Sequence, residues 1–379
     1  MSSRDELRCF KNLQIYWQRI GLYPKKMEDF TTMYGIRSSL IMLLFQFPFM
    51  FGILGYAYTA FRGGVYNSIL YSIYCFNFVA TVQACILFFL TRGRNTLQFL
   101  MKLGEANYGK PKNFDLTINL AEKATTFLHN TIIIEEILVV ITSHFKQAFC
   151  DEKDLLGDDR IVCGLMVPLW YPFKIPYANL ILSIYLLFFL PYLAAQTCGN
   201  ILYVGSVVPI LPKIEHLKDF LKAIDFGDEQ RSHETMKLCS RYYSDILELV
   251  DQMNETVGFI MSPAQNVLVV VMVGLLEYQA VMDKNILAAF QLVIWLIIQF
   301  ISCLSGQILE NASLSITECV YDMKWYDMHP SLRNTFKILQ GQAQQTMHFK
   351  IQPLITMNME YFYKVMQSSY SFLMFLSNF

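Results

Sequence analysis

The side chains best placed to do chemistry are two adjacent carboxylates, Glu135 and Glu136, in a stretch from Thr126 to Phe145 whose only other titratable residues are His129 and His144. A carboxylate in hydrocarbon is costly unless it faces protein or water. Neighbouring helix positions point about 100° apart, so only one of the two can face a given cavity. Two roles fit: hydrogen bonding to neighbouring helices from a tilted or shifted helix, or lining a ligand vestibule. Neither role is catalytic. Gly104, Gly109 and Lys110 in GEANYGKP match the start of a phosphate-binding loop, but Pro111 stands where magnesium needs a Ser or Thr ligand, and no strand precedes it. CxxC, HExxH, GxSxG and GxGxxG are all absent, and the six histidines are scattered. No metal centre, no triad and no cofactor is therefore expected. Most of the nine cysteines lie in or near apolar runs, where a reduced packing role is expected. Cys150 and Cys163 share one loop, where a disulfide can form if that loop faces an oxidising compartment.

The elements that position these groups are apolar helices. Of 379 residues, 54% are hydrophobic and 16% charged, below the roughly 25% charge of a soluble domain. With a net charge of −1 and no clustered basic face, nucleic acid is excluded as a partner. Five stretches carry no charge: Ser38 to Phe61, Gly63 to Thr91, Ile175 to Pro212, Thr256 to Leu276 and Asn285 to Leu309. Each meets the length of about 20 residues needed to cross a bilayer. Thr126 to Phe145 and Phe362 to Phe379 bring the expected number of spans to seven. The run from Ile175 is the longest and would reach roughly 57 Å as one helix, against a hydrocarbon core of about 30 Å, so it is expected to protrude into water. No linker or repeat divides the chain, which reads as one all-α membrane domain. No apolar core precedes the first span, so that span is expected to direct insertion.

Lysine and arginine resist translocation, so their distribution sets orientation. Under the seven-span reading, the N-terminal segment and the loops after the second, fourth and sixth spans hold 23 of the 30 basic residues; the opposite side holds six. The N-terminus is thus expected in the cytoplasm and the C-terminus outside, the reverse of a metabotropic seven-helix receptor. That alternative also lacks DRY-like and NPxxY-like elements. A small-molecule transporter would show paired broken helices or clustered ligating side chains, of which Glu135 and Glu136 are the only hint.

Two regions carry a recognisable pattern. Towards the C-terminus, Gly306-Gln307 is followed by Leu309, Ser313, Leu314, Tyr321, Trp325-Tyr326, Arg333, Gln344, Leu354, Glu360 and Phe362, and then by Ser369-Tyr370-Ser371. Near the N-terminus, Trp17 precedes Gly21-Leu22-Tyr23-Pro24. Together these resemble the insect odorant receptors of the tuning class, with departures at Gln340-Gly341-Gln342 and Gln345.

The resemblance implies an odorant-binding subunit of a ligand-gated, non-selective cation channel. Its partner would be the odorant receptor co-receptor, in a heterotetramer in the plasma membrane of olfactory neuron dendrites. Residues 1–37 would form a cytoplasmic segment, residues 211–255 and 322–350 an anchor between subunits, and residues 351–379 the pore-lining last helix. Trp325, Tyr326, Arg333 and Gln344 would make subunit contacts. Leu373 matches the family's hydrophobic gate, and Ser377, polar where the family is usually apolar, the next constriction. A small volatile ligand would bind in the outer half of the bundle. There, helical spacing selects Tyr71, Tyr74 and Phe78, Leu138, Ile141 and Phe145, Asn179 and Ser183, and Phe290 and Val293. The orientation also makes a direct prediction: the sequons at Asn254 and Asn311 face the cytoplasm. Glycosidase treatment of the expressed protein is expected to leave its electrophoretic mobility unchanged; a glycan on Asn254 would reverse the topology.

Overall fold

A computed structural model describes residues 9–19, 32–145, 150, 156–165, 167–193, 198–265, 267–282, 284–351 and 355–377. Gly21-Leu22-Tyr23-Pro24, Leu354, Asn378 and Phe379 lie outside these residues, as does the side chain of Glu136. A short helix α1 (Lys11–Arg19) precedes three long ones, α2 (Thr32–Gly63), α3 (Tyr66–Leu103) and α4 (Phe114–Phe145). A two-stranded antiparallel hairpin follows, β1 (Ile161–Val162) and β2 (Leu169–Trp170), and then α5 (Ala178–Leu193) and α6 (Cys198–Lys222). Helix α7 (Glu229–Met253) passes through a π-helical turn, Asn254–Gly258, into α8 (Phe259–Gln265) and α9 (Val267–Val281). Helix α10 (Ile286–Tyr321) leads through two 3₁₀ turns to α11 (Arg333–Ala343). A second hairpin, β3 (Lys350–Ile351) with β4 (Ile355–Thr356), delivers the last helix, α12 (Met359–Ser377).

Among the described residues, three helices are long and apolar enough to cross a membrane, spanning Ser68–Leu103, Phe114–Phe145 and Ala288–Tyr321; α2 makes a fourth if its two segments, bent by 47°, count as one. That bend falls between Ile41 and Gln46, where Pro48 deprives the Leu44 carbonyl of its helical donor. The helices outrun the charge-free stretches because they do not stop at the hydrocarbon boundary. Helix α3 continues through Arg92, Arg94 and Lys102, and α10 runs twelve residues past Leu309.

These extensions, together with α7 and α11, form a charged end with a core of its own. Helix α7 begins at an Asp228 cap, whose side chain accepts from the Arg231 N–H, and buries Met236, Cys239, Tyr243, Ile246 and Val250 at helical spacing. Helix α11 packs Phe336, Leu339 and Ala343 against it. Gln342 and Gln345 are absorbed in this contact: Ser240 donates to Gln342 Oε1 at 2.7 Å, and the Tyr243 hydroxyl donates to the Gln345 carbonyl at 3.0 Å. The N-terminal helix seals the same core with Phe10, Leu13 and a wholly buried Trp17. Its own N-terminus is capped by Glu122, which accepts from the Lys11 and Asn12 N–H groups.

The β3–β4 hairpin joins this core to α12. Asn254, in the π-turn, donates to the His348 carbonyl and accepts from the Lys350 N–H, so both polar ends of its side chain are used. Phe349 stacks on Tyr203 at 3.7 Å. The closest approach is at Gly306, where a Cβ atom would sit 1.9 Å from the Met357 carbonyl oxygen. Backbone atoms on both sides leave no room to yield. Gly306→Ala is therefore expected to destabilise the fold by about 3 kcal/mol, seen as a lower unfolding temperature in detergent. Gly341→Ala, with nothing within 4 Å of its Cβ, is expected to be neutral or stabilising by about 0.5–1 kcal/mol.

Candidate functional site

The opposite end of the bundle holds a second core, rich in aromatic rings and poor in charge. Its spine is α3, where the i, i+3 and i+4 spacing brings Tyr71, Tyr74 and Phe78 into one ladder; ring centroids lie 5.9 Å apart for Tyr71–Tyr74 and 6.4 Å for Tyr74–Phe78. Tyr74 is buried, Tyr71 and Phe78 half-buried. Phe49 of α2 stacks on Tyr185 of α5 at 5.3 Å, and Leu182, Leu275 and Ala288 close the cluster from α5, α9 and α10.

The β1–β2 hairpin covers the far end of this core. A Cβ on Gly55 would lie 2.6 Å from the Trp170 ring, and one on Gly52 would lie 3.1 Å from Tyr171. The two glycines leave a flat strip on α2 on which these rings rest. The Tyr171 hydroxyl donates to the Pro48 carbonyl at 3.1 Å, beside the kink. Asp158 ties the loop together: it pairs with Arg160 at 2.8 Å and accepts from the Trp170 indole at 3.0 Å. The hydrogen bonds from Arg160 hold this carboxyl well below the usual range. Cys150 and Cys163 are disulfide-bonded and anchor the hairpin to the segment after α4.

Buried polar atoms without partners mark where an added ligand would be stabilised by this end. Among the described residues, the Ser183 hydroxyl on α5 makes no hydrogen bond, nor does either amide atom of Gln46 on α2, which is 1% exposed, nor Oε1 of Gln279 on α9. Each leaves desolvated polarity of about 1–3 kcal/mol unsatisfied. An aromatic-lined interior with a few such groups suits a small, mostly apolar molecule.

The residues selected by helical spacing divide between two environments. Tyr71, Tyr74, Phe78 and Ser183 lie in or against the interior. Leu138, Ile141 and Phe145 of α4, Asn179 at the start of α5, and Phe290 and Val293 of α10 are exposed on the surface of the chain, Phe145 at 82%. Gln46, Gln279 and the hairpin rings were missed by sequence reasoning. The Gly52/Gly55 spacing and the Trp170-Tyr171 pair were the available signals. Glu135 is half-buried on α4.

Helix α12 connects this cluster to the charged end. One face, Val365, Ser369, Phe372 and Leu376, packs against α9 and α10. Phe372 lies where a Cβ on Gly274 would meet it at 2.5 Å. The Ser369 hydroxyl donates to Glu277 Oε1 at 3.3 Å, while Oε2 of that carboxylate is buried without a partner. The other face, with Tyr363, Gln367, Tyr370 and Met374, is exposed. Leu373 and Ser377 are half-buried between the two, and Phe375 is exposed. Trp325, Tyr326, Arg333 and Gln344 are all exposed at the charged end. Among the described residues, no group of His, Cys, Asp and Glu could hold a metal ion.

The profile of the 7tm odorant receptors matches residues 115–370. No curated protein matches significantly. Among solved structures, the fold is similar to that of the insect olfactory receptor OR5 from Machilis hrabei, with a TM-score of 0.74 at 14% identity over 97% of this chain and 96% of that one. The same receptor in complex with eugenol gives 0.71 at 13% identity over 97% of each chain. At such identities the likeness speaks for the fold, while the profile spans two thirds of the sequence: this chain is a membrane protein of the odorant receptor family.

Proposed function

We propose that the chain is the odorant-binding subunit of a ligand-gated, non-selective cation channel, formed with the odorant receptor co-receptor in the plasma membrane of olfactory neurons. The observation that carries this reading is the bare face of α12. A helix in hydrocarbon is expected to turn polar groups towards protein or water, yet Tyr363, Gln367 and Tyr370 are exposed, on the side that Leu373 and Ser377 continue three and seven residues after Tyr370. Four such helices facing a common axis would give these groups a wet lumen. The polar anchor, residues 211–255 and 322–350, would hold neighbouring subunits through Trp325, Tyr326, Arg333 and Gln344. In this orientation the N-terminal segment is cytoplasmic and α12 ends outside.

The ligand pocket would lie around Tyr71, Tyr74, Phe78 and Ser183, with Leu138, Ile141, Phe145, Asn179, Phe290 and Val293 bordering the approach from lipid. A small volatile molecule is the ligand class; the related receptor solved with eugenol is consistent with that. Coupling to the pore is short, because Phe372 and Leu376 belong to the same cluster as Tyr74. A ligand that prefers one arrangement of these rings biases α12 by that difference in affinity. Leu373 is the apolar constriction that stops ions by dewetting when closed, with Ser377 one turn above it.

Cells expressing the chain together with the co-receptor are expected to pass an odorant-evoked inward current, and cells expressing either alone none that depends on this chain. A response that needs G-protein signalling and no co-receptor would overturn the proposal. Tyr74→Ala is expected to raise the half-maximal odorant concentration about 10-fold, a loss of about 1.4 kcal/mol; an unchanged midpoint would move the pocket elsewhere. Leu373→Gln is expected to raise the resting current by easing wetting of the constriction, measured as the fraction blocked by a pore blocker before odorant is applied.

A further inference from the structure

Far from the aromatic cluster, the charged end contains a cavity of about 160 Å³ between α3, the α3–α4 loop, α6 and α7. Lys213, the first residue beyond the apolar run of α6, lines it and is only 6% exposed. Buried lysines are ordinarily matched by a carboxylate. Among the described residues this one makes no ion pair: its Nζ donates to the Glu105 carbonyl at 2.7 Å and lies 5.7 Å from the centre of the Phe114 ring. Of the three acids that line the cavity, Glu105 gives Lys213 its backbone carbonyl and the other two are engaged elsewhere. Asp245 accepts from the Tyr108 hydroxyl at 2.6 Å, and Glu248 pairs with Lys102 at 3.1 Å. Tyr108 in turn stacks on Tyr242 at 4.3 Å, giving the cavity one flat wall.

We propose that Lys213 and the cavity it lines form a covalent capture site for small aldehydes. The free amine adds to the carbonyl carbon, and the resulting carbinolamine loses water as the C=N bond forms; the carbonyl oxygen and both amine protons leave in that water. Asp245 and Tyr108 line the same cavity and are the groups through which the protons would pass. The imine can sit uncharged, which relieves the cost of a buried ammonium. Carbon dioxide would instead give a carbamate anion facing Glu105, Asp245 and Glu248, so the electrostatics select aldehydes. The volume admits a few heavy atoms. Burial brings the Lys213 ammonium down to about 8, with Cys9, Glu105 and Asp245 pulling it back only in part. Near neutral pH the free amine is then on the order of 100 times more abundant than at an ordinary lysine. Small aldehydes cross lipid, so the site would register them independently of the outer pocket.

The test uses the full-length protein purified in detergent, treated briefly with acetaldehyde and cyanoborohydride at neutral pH. The hydride traps the imine as an ethyl group, and peptide mass spectrometry compares Lys213 with Lys102, the paired lysine of the same cavity. The expected result is Lys213 labelling at least about 10-fold faster than Lys102, allowing for the lower basicity and access of the buried amine, with the preference abolished after unfolding in dodecyl sulfate. Equal rates in the folded protein, or a Lys213 left unmodified while exposed lysines react, would overturn the proposal.

Discussion

A chain that enters hydrocarbon has no water with which to satisfy its amides, and most of this structure follows from that. Helices α3 and α10 run unbroken past their apolar stretches, which is why they carry their charges on the same rods. Where continuity fails, other groups intervene. Beside the Pro48 kink, the Pro48 carbonyl receives the Tyr171 hydroxyl; at the π-turn, Asn254 uses its side chain on two backbone groups of the segment that leads to α12. At both of these places protein covers the irregular backbone.

The same constraint separates two cores with different chemistry. The charged end packs like a soluble domain, with amphipathic α7 and α11 and many side-chain hydrogen bonds. The aromatic end packs rings against glycine strips and leaves several polar atoms unpartnered. Helix α12 belongs to both. It is launched from a hairpin wedged against Gly258 and Gly306, and it finishes with Leu376 among the aromatic residues. A rod fixed at one end and set in an adaptable cluster at the other is suited to transmit a small change in that cluster along its length.

Much of the fold could be read from hydropathy, and the reasons for the misses are physical. Residues 211–255 are expected from the sequence as an anchor region, without α7 as an element of its own, because hydropathy detects lipid exposure and α7 is amphipathic; its signal lies in the period of Met236, Cys239, Tyr243, Ile246 and Val250. That Tyr71, Tyr74 and Phe78 form one ladder is legible because three rings on one helical face is a local pattern. Helical spacing could not say that Leu138, Ile141 and Phe145 are exposed, since lipid-facing and core-facing residues are equally apolar. Gln46 and Gln279 gain meaning only when tertiary packing denies them partners.

In the proposed channel, α12 is a pore wall whose state follows the ligand. The most direct measurement places single cysteines at positions 372, 373, 375 and 377 of the chain expressed with the co-receptor, and follows their reaction with a pore-permeant thiol reagent. Modification is expected at 373 and 377, faster while odorant is present, with protection at 372, which packs on Gly274, and at 375. Modification at 372 and 375 with none at 373 and 377 during odorant application would contradict this role for α12.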